Sequence, residues 1–266
     1  MRYHAAHIAV AAQEFSAEQT IALSSKEVQD VPSQADCTKC KIGALTIYAP
    51  TFENSPATVC ALRTQVAQFR AHQTIQRAGE VPTRAYTLFK GWACRAVHFH
   101  DGRRQILSFL VPGDTICIEN IWVDNYRVPF TVRSLTDVTL CAFQPKDLLA
   151  IVDSHETQQR TFSRHIQRVI HHAERRLVDI GRRRAIARIA RLVLDIHSTL
   201  RERGLAEADE LDFPLRQEDI ADALGVTTAH VNRTLLSLRR RGLLDIRQGK
   251  ARLLNLAELK AIGANE

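Results

Sequence analysis

The apolar positions of this chain change their period twice. Between about residues 70 and 143, short β-rich runs alternate with turn signals: "YTLFKGWACRAVHFH", the Asp101-Gly102 pair, "RQILSFL", "VPGD" at 111–114, and "VPFTVRSL…VTLCAF". Such runs predict strands, and an Asp-Gly between two of them predicts a hairpin. Many short strands at this spacing predict a closed or two-sheet β-roll.

From about 146 to 203 the period lengthens. Phe162, Ile166, Val169, Ala173, Leu177 and Ile180 follow one another at steps of three or four, which draws a single apolar stripe along a helix. Arg160, Arg164, Arg168 and Arg175 occupy the opposite face. A stripe on a long helix that follows a finished β domain needs a cover. It either packs back on the roll or meets a second copy of itself in a two-fold coiled-coil contact, and the second is the economical choice. Gly181, just ahead of "RRRAIARIARLVLDIHSTL", predicts a hinge into another helix.

The third pattern spans about 211–255. In "QEDIADALGVTTAHVNRTLLSLRRRGLL", Ile220, Ala221 and Leu224 form the inner side of a short helix. Gly225 permits a tight turn, and Thr227 or Thr228 can cap the next helix. Val231, Leu235 and Leu238 are the buried side of that second helix. Its opposite side centres on Ala229, Arg233 and Arg240, with His230 and Asn232 on the flanks and Ser237 close by. The tail "LLDIRQGKARLLNL" predicts two strands around a Gly249 turn, a wing. A helix-turn-helix with a wing is a unit that reads nucleic acid.

Side chains of this kind near a helix start suit the major groove, where arginine binds guanine O6 and N7 in a fork. Arg239, Arg240 and Arg241 suit phosphate, which fixes position without reading sequence. The competing reading is a helical hairpin that contacts protein. The wing and the arginines favour DNA.

Charge agrees. The formal net charge is +7, and residues 156–204 hold twelve Arg against five acidic groups, so the excess is concentrated in the C-terminal half as a polyanion partner requires. No apolar run approaches the ~18 residues of a membrane span. The Ala-rich start "MRYHAAHIAVAAQEF" is too short and too interrupted by His for a signal peptide, and residues 1–35 are expected to be a poorly ordered lead-in. Six cysteines without a secretory segment favour a reducing, cytoplasmic setting over a disulfide framework.

With "QEDIADALGVTTAHVNRTL" and "GWACRAV…DGRRQILSFLVPGD" in view, the chain resembles the Crp/Fnr family of bacterial transcription regulators over roughly residues 70–255. The resemblance implies a homodimer that binds a palindromic operator in double-stranded DNA and contacts RNA polymerase. It places base contacts on Thr228, Ala229, His230 and Arg233. Family members often carry Glu where Ala229 stands, so a different half-site is expected.

The resemblance also frames the signal. Cyclic-nucleotide-binding members carry a Gly-Glu pair and an Arg-Ser or Arg-Thr pair, which here fall on Cys117-Ile118 and Val128-Pro129; Arg127 is one position out of register. Without a placed Arg an anionic phosphate loses its main contact, so cyclic nucleotide is not the expected ligand. Oxygen-sensing members use an N-terminal cysteine group and one cysteine within the roll. Here Cys37 and Cys40 of "CTKC", with Cys141 and Cys60, supply the four thiolates a [4Fe-4S] cluster needs. The family's third cysteine position is near Thr46, and Cys60 falls in a predicted helix. Direct thiol redox by Cys37 and Cys40 is the alternative. Cys117 resembles a haem-ligating position, but Glu119 replaces the expected His.

A β-roll can also be a cupin-type metal enzyme. His98 and His100 share a strand face, yet Arg103, Arg104 and Gln105 stand where a carboxylate ligand would be, so no enzyme activity is expected. A constitutive, non-sensing DNA-binding regulator is a further alternative.

The expected architecture is therefore α+β. An N-terminal β-roll (a double-stranded β-helix of the cyclic-nucleotide-binding type) with the CxxC segment spans 36–150. A dimerisation helix follows at 151–181, then a winged helix-turn-helix at 182–266.

Overall fold

A computed structural model describes residues 37, 40–118, 123 and 125–264; the expected lead-in at 1–35 and Glu119 lie outside them. Two short helices, α1 (Ala49–Asn54) and α2 (Pro56–Leu62), precede eight strands. These are β1 (Arg63–Phe69), β2 (Thr74–Gln76), β3 (Ala85–Lys90), β4 (Ala93–His98), β5 (Arg104–Leu110), β6 (Thr115–Ile116), β7 (Thr131–Ser134) and β8 (Val138–Phe143). They form two antiparallel sheets in the orders β1-β8-β3-β6 and β2-β7-β4-β5. The roll therefore begins at Arg63, a few residues earlier than its pattern indicated.

Strand β4 explains why "GWACRAV" reads as an almost unbroken apolar run. Ala93 points into the roll with Leu88, Leu110, Ile116, Val132 and Leu140. Cys94 and Ala96 alternate to the other face, where with Trp92 they join a second core built with the C-terminal helices. A strand buried on both faces has no position left for a solvated side chain. Arg95 is the exception on the inner side, held by the Thr115 carbonyl at 3.2 Å and stacked 5.2 Å over Phe130.

After the roll come α3 (Pro145–Ser154) and α4 (Glu156–Arg182), separated by one extended residue, His155. The apolar stripe of α4 divides. Phe162, only 6% exposed, packs with Ile47, Tyr48, Phe52, Val59 and Leu148, and Ile166 leans on the same cluster. Gln158 fastens this half from the polar side: its amide donates to the Ile47 carbonyl and accepts from Thr51 at 3.1 Å. Phe162 and Ile166, expected to face a second copy, are thus covered by their own chain. The reason is that residues 42–62 supply an apolar surface that periodicity in α4 could not reveal.

Farther along, Val169 is half-buried while Ala173 and Leu177 are exposed, Leu177 at 74%. Ile170 and Val178 are exposed beside them. Ile180 turns back toward its own chain, where its Cγ2 faces Gly225.

The expected hinge at Gly181 is displaced. Helix α4 runs through Gly181 to Arg182, and the break falls on Arg183 and Arg184, both extended. Buried Asp179 explains the position: it pairs with Arg183 and with Arg191 of the next helix, each at 3.0 Å. Arg183 and Arg191 also donate to the Gly263 carbonyl, at 3.0 and 3.2 Å.

The C-terminal unit is α5 (Ala185–Glu202), β9 (Glu210–Asp212), α6 (Gln217–Leu224), α7 (Thr228–Arg240), β10 (Leu244–Arg247), β11 (Lys250–Leu253) and α8 (Leu256–Ala264). The wing hairpin β10–β11 is present as expected, and β9 adds a third strand that the pattern did not indicate. No described helix is long and apolar enough to cross a membrane.

Candidate nucleic-acid interface and thiol site

Helix α7 is positioned by α6 and the turn between them. Gly225 takes a left-handed conformation (φ 64°, ψ 39°), which glycine adopts without a Cβ penalty. The Thr227 hydroxyl caps α7 by accepting from the His230 amide at 3.2 Å; Thr228 is the first helical residue. Val231 and Leu238 are fully buried, Thr234 is buried and Leu235 half-buried. This packing turns the other side outward. Thr228, Ala229, His230, Asn232, Arg233, Ser237, Arg240 and Arg241 are all exposed.

These residues differ in how they are held. Among the described residues, Arg233 and Arg240 have no hydrogen-bond or ion-pair partner. Asn232 donates to the Gln217 side chain at 3.1 Å, and Arg241 pairs with Glu258 of α8 at 2.9 Å. Arg239 lies 3.6 Å from Asp245. Arg233, His230 and Ser237 open onto a concavity of about 580 Å³ whose far wall is Arg183, Arg184 and Arg188. The basic strip thus continues from α7 across the α4–α5 break, a feature that separate helix patterns did not join. At the wing tip, Gln248 and Gly249 adopt positive φ. Lys250 and Arg252 converge on Glu210 at 2.6 and 2.7 Å and hold its carboxyl below the usual carboxylate range.

The whole unit is fastened to the roll. Arg104 of β5 reaches Asp219 and Asp222 of α6, each at 2.6 Å. Asp219 also accepts from the Arg216 backbone amide at 2.9 Å, so one carboxylate caps α6 and anchors it. Arg203, past the end of α5, pairs with Asp114 at 2.6 Å. Sequence reasoning treated Arg104 only as a missing metal ligand and gave Asp219 no role. The pairing is between residues more than a hundred positions apart, which local spacing does not encode.

At the other end of the molecule, four cysteines from three places in the sequence gather. The Cys40 amide donates to the Cys37 carbonyl at 3.1 Å, closing the CxxC turn. Cys60 stands on α2, and Cys141 on β8 opposite Val66 and Thr87. The Cys37 and Cys60 thiols are hydrogen-bonded, and both feel Cys141. Burial, then the Cys60 contact, pushes the Cys37 thiol up to about 12. Burial likewise raises Cys141, with Arg63 opposing. Arg63, hydrogen-bonded to Cys141, is the cation of this site.

No three His, Cys, Asp or Glu side chains among the described residues are gathered tightly enough to hold a single metal ion. Thiolates around one zinc lie about 3.8 Å apart, from ~2.3 Å bonds in a tetrahedron. A four-iron cubane spreads its ligands more widely. Four thiols beside one cation, two of them (Cys37 and Cys141) raised by burial, are the kind of donor set such a cluster would use, since metal binding would drive their deprotonation. Cys94 and Cys117 are elsewhere, buried in the two apolar cores.

Comparison with known proteins decides the family. A Crp-like helix-turn-helix domain matches residues 187–262, and a cyclic nucleotide-binding domain matches residues 66–155. The nitrogen fixation regulation protein FixK of Bradyrhizobium diazoefficiens is 30% identical over 74% of this chain and 81% of its own. The chain belongs to the Crp/Fnr family of transcription regulators. The transcriptional activator protein FnrL of Cereibacter sphaeroides is 26% identical over 70% of this chain and 74% of its own. The solved FixK2 structure from Bradyrhizobium japonicum superposes with a TM-score of 0.67, at 24% identity over 76% of this chain and 98% of that one.

As a Crp/Fnr regulator the protein binds DNA, and its relatives are regulators rather than enzymes. The cupin alternative also lacks its geometry: β4 ends at His98, and His98 and His100 are both exposed around the hairpin tip. In the roll, Cys117, Ile118 and Val128 are buried and apolar. Arg127 lies on the surface and donates to the Gly79 carbonyl at 2.8 Å.

Proposed function

We propose that this regulator acts as a homodimer on a palindromic operator, reading bases through α7. Thr228, Ala229, His230, Asn232, Arg233 and Ser237 meet base edges, and Arg240 meets phosphate beside the Arg183–Arg184 wall. The observation that carries this reading is the pairing of a buried inner side of α7, centred on Val231 and Leu238, with an outer side on which Arg233 and Arg240 are exposed and unengaged. Arg241, shared with Glu258, exchanges that partner for phosphate on binding. The two copies pair through the rear half of α4, where Ala173, Leu177 and their exposed neighbours await a cover. The protein works in the cytoplasm and contacts RNA polymerase from its operator.

Its signal enters at the thiol site. Cys37, Cys40, Cys60 and Cys141 would hold a [4Fe-4S] cluster, which supplies sensitivity to oxygen and redox state when bound. The chain's own part is to keep the four sulfurs together through α2 and β8 and to offset their charge with Arg63. Direct thiol redox is the weaker reading, since the raised Cys37 thiol is a poor nucleophile at neutral pH. Cyclic nucleotide is not the ligand, because Arg127 does not face the roll interior.

The test uses a duplex selected from a random library. Arg233→Ala is expected to cost roughly 1–3 kcal/mol and to relax preference at one base pair per half-site. A uniform loss across all sequences overturns the base-reading role. For the cluster, anaerobically purified protein is scanned for visible absorbance and assayed for iron and sulfide; iron-free protein that binds the operator equally with and without oxygen removes it.

A further inference from the structure

One exposed side chain on α7 does not fit the polar character of its surroundings. Leu236 is 44% exposed, whereas its neighbour Leu235 packs against the core. At 3.6 residues per turn, Leu236 lies within about 40° of the direction opposite Val231 and Leu238, as do Ala229, Arg233 and Arg240. It therefore stands on the proposed base-reading face, one turn beyond Arg233. A leucine left in water there gains nothing in the free protein. Burial against another apolar group would be favourable.

In the major groove the apolar group of a base edge is the thymine 5-methyl, which no other base pair presents in the same place. From Arg233 to Leu236 the helix rises about 4.5 Å, at ~1.5 Å per residue. That is close to one base-pair step, ~3.4 Å along duplex DNA. Arg233 and Arg240 on either side attract the duplex and hold the leucine against it.

We infer that Leu236 is a specificity-determining residue that packs on a thymine methyl adjacent to the base pair read by Arg233. The inference rests on α7 being the reading helix. It adds a thymine requirement that neither the arginines nor the wing would impose. Because Leu236 has no place in the core clusters, Leu236→Ala leaves the fold intact.

The experiment takes the selected operator and replaces each thymine in turn by uracil, which differs only in lacking the methyl. In the unaltered protein, one uracil position per half-site is expected to weaken binding about fourfold, the loss of one buried methyl. With Leu236→Ala that same position becomes insensitive to the change, while all others respond as before. If Leu236→Ala keeps the full uracil profile of the unaltered protein, or if no position responds in either, the inference is overturned. A failure of the parent reading looks different: Arg233→Ala then leaves base preference untouched at every position.

Discussion

The two halves of helix α4 carry one apolar rhythm and meet opposite fates. In the front half Phe162 is buried against α1, α2 and α3, with Ile166 beside it. In the rear half Ile170, Ala173, Leu177 and Val178 stand in solvent. Period alone says that a face will be covered; it does not say by what. The front is covered by α3, just before it, and by segments about a hundred residues earlier, among them the helix that carries Cys60. The rear is the part proposed to meet a second copy. One helix therefore runs from the thiol site, past the proposed dimer contact, to Asp179 and its arginine partners at the start of the C-terminal unit.

The sharpest way to separate the halves is to damage each. Phe162→Ala should cost about 3–5 kcal/mol of stability, the usual price of emptying an aromatic site in a core. It should leave the association of folded chains unchanged. Denaturant unfolding and sedimentation measure the two separately, and a weakened dimer with unaltered unfolding would reverse the assignment.

Leu177→Glu should do the converse. Two carboxylates facing across a two-fold axis ought to weaken dimerisation at least a hundredfold, about 2.8 kcal/mol, with little change in monomer unfolding. A dimer of undiminished strength would place the interface elsewhere.

Arg104→Ala addresses how the reading head is held on the roll. Losing the pairs with half-buried Asp222 and buried Asp219 should destabilise the protein by about 2 kcal/mol. Hydrogen exchange in α6 should rise, and an unchanged exchange pattern would mean that the apolar core alone fixes the reading head.

A further effect is a pH dependence in the metal-free protein. Because the folded state keeps the Cys37 proton from the ordinary thiol value of 9.0 up to about 12, stability should fall as pH rises through that interval. At pH 8 its alkylation by iodoacetamide should be slower than in the unfolded chain by on the order of a thousandfold, following the thiolate fraction. Equal rates would show that the thiol is not held as described.

Much of this was legible beforehand because local rules carried it. The turn at Gly225, the cap at Thr227 and the inner side of α7 are fixed by residues within a few positions of one another. The same is true of the wing around Gly249. What escaped depends on distant partners. Gly181 looked like a hinge by composition, but Asp179 and Arg191 lock that turn and pass the break to Arg183. Nothing in the neighbourhood of Arg104 announces Asp219. Cys60 read as a helical residue, which it is, and its helix places it against Cys37. The gathering of all four cysteines needed the β1–β8 pairing to bring Cys141 alongside.

The central claim is that two copies grip one duplex through paired α7 helices. Its most direct measurement is an anisotropy titration of the selected operator with both half-sites intact, then with one scrambled. Two protein chains per duplex are expected, with affinity falling at least a hundredfold when one half-site is lost. One chain per duplex, and an affinity that does not respond to scrambling, would contradict the claim.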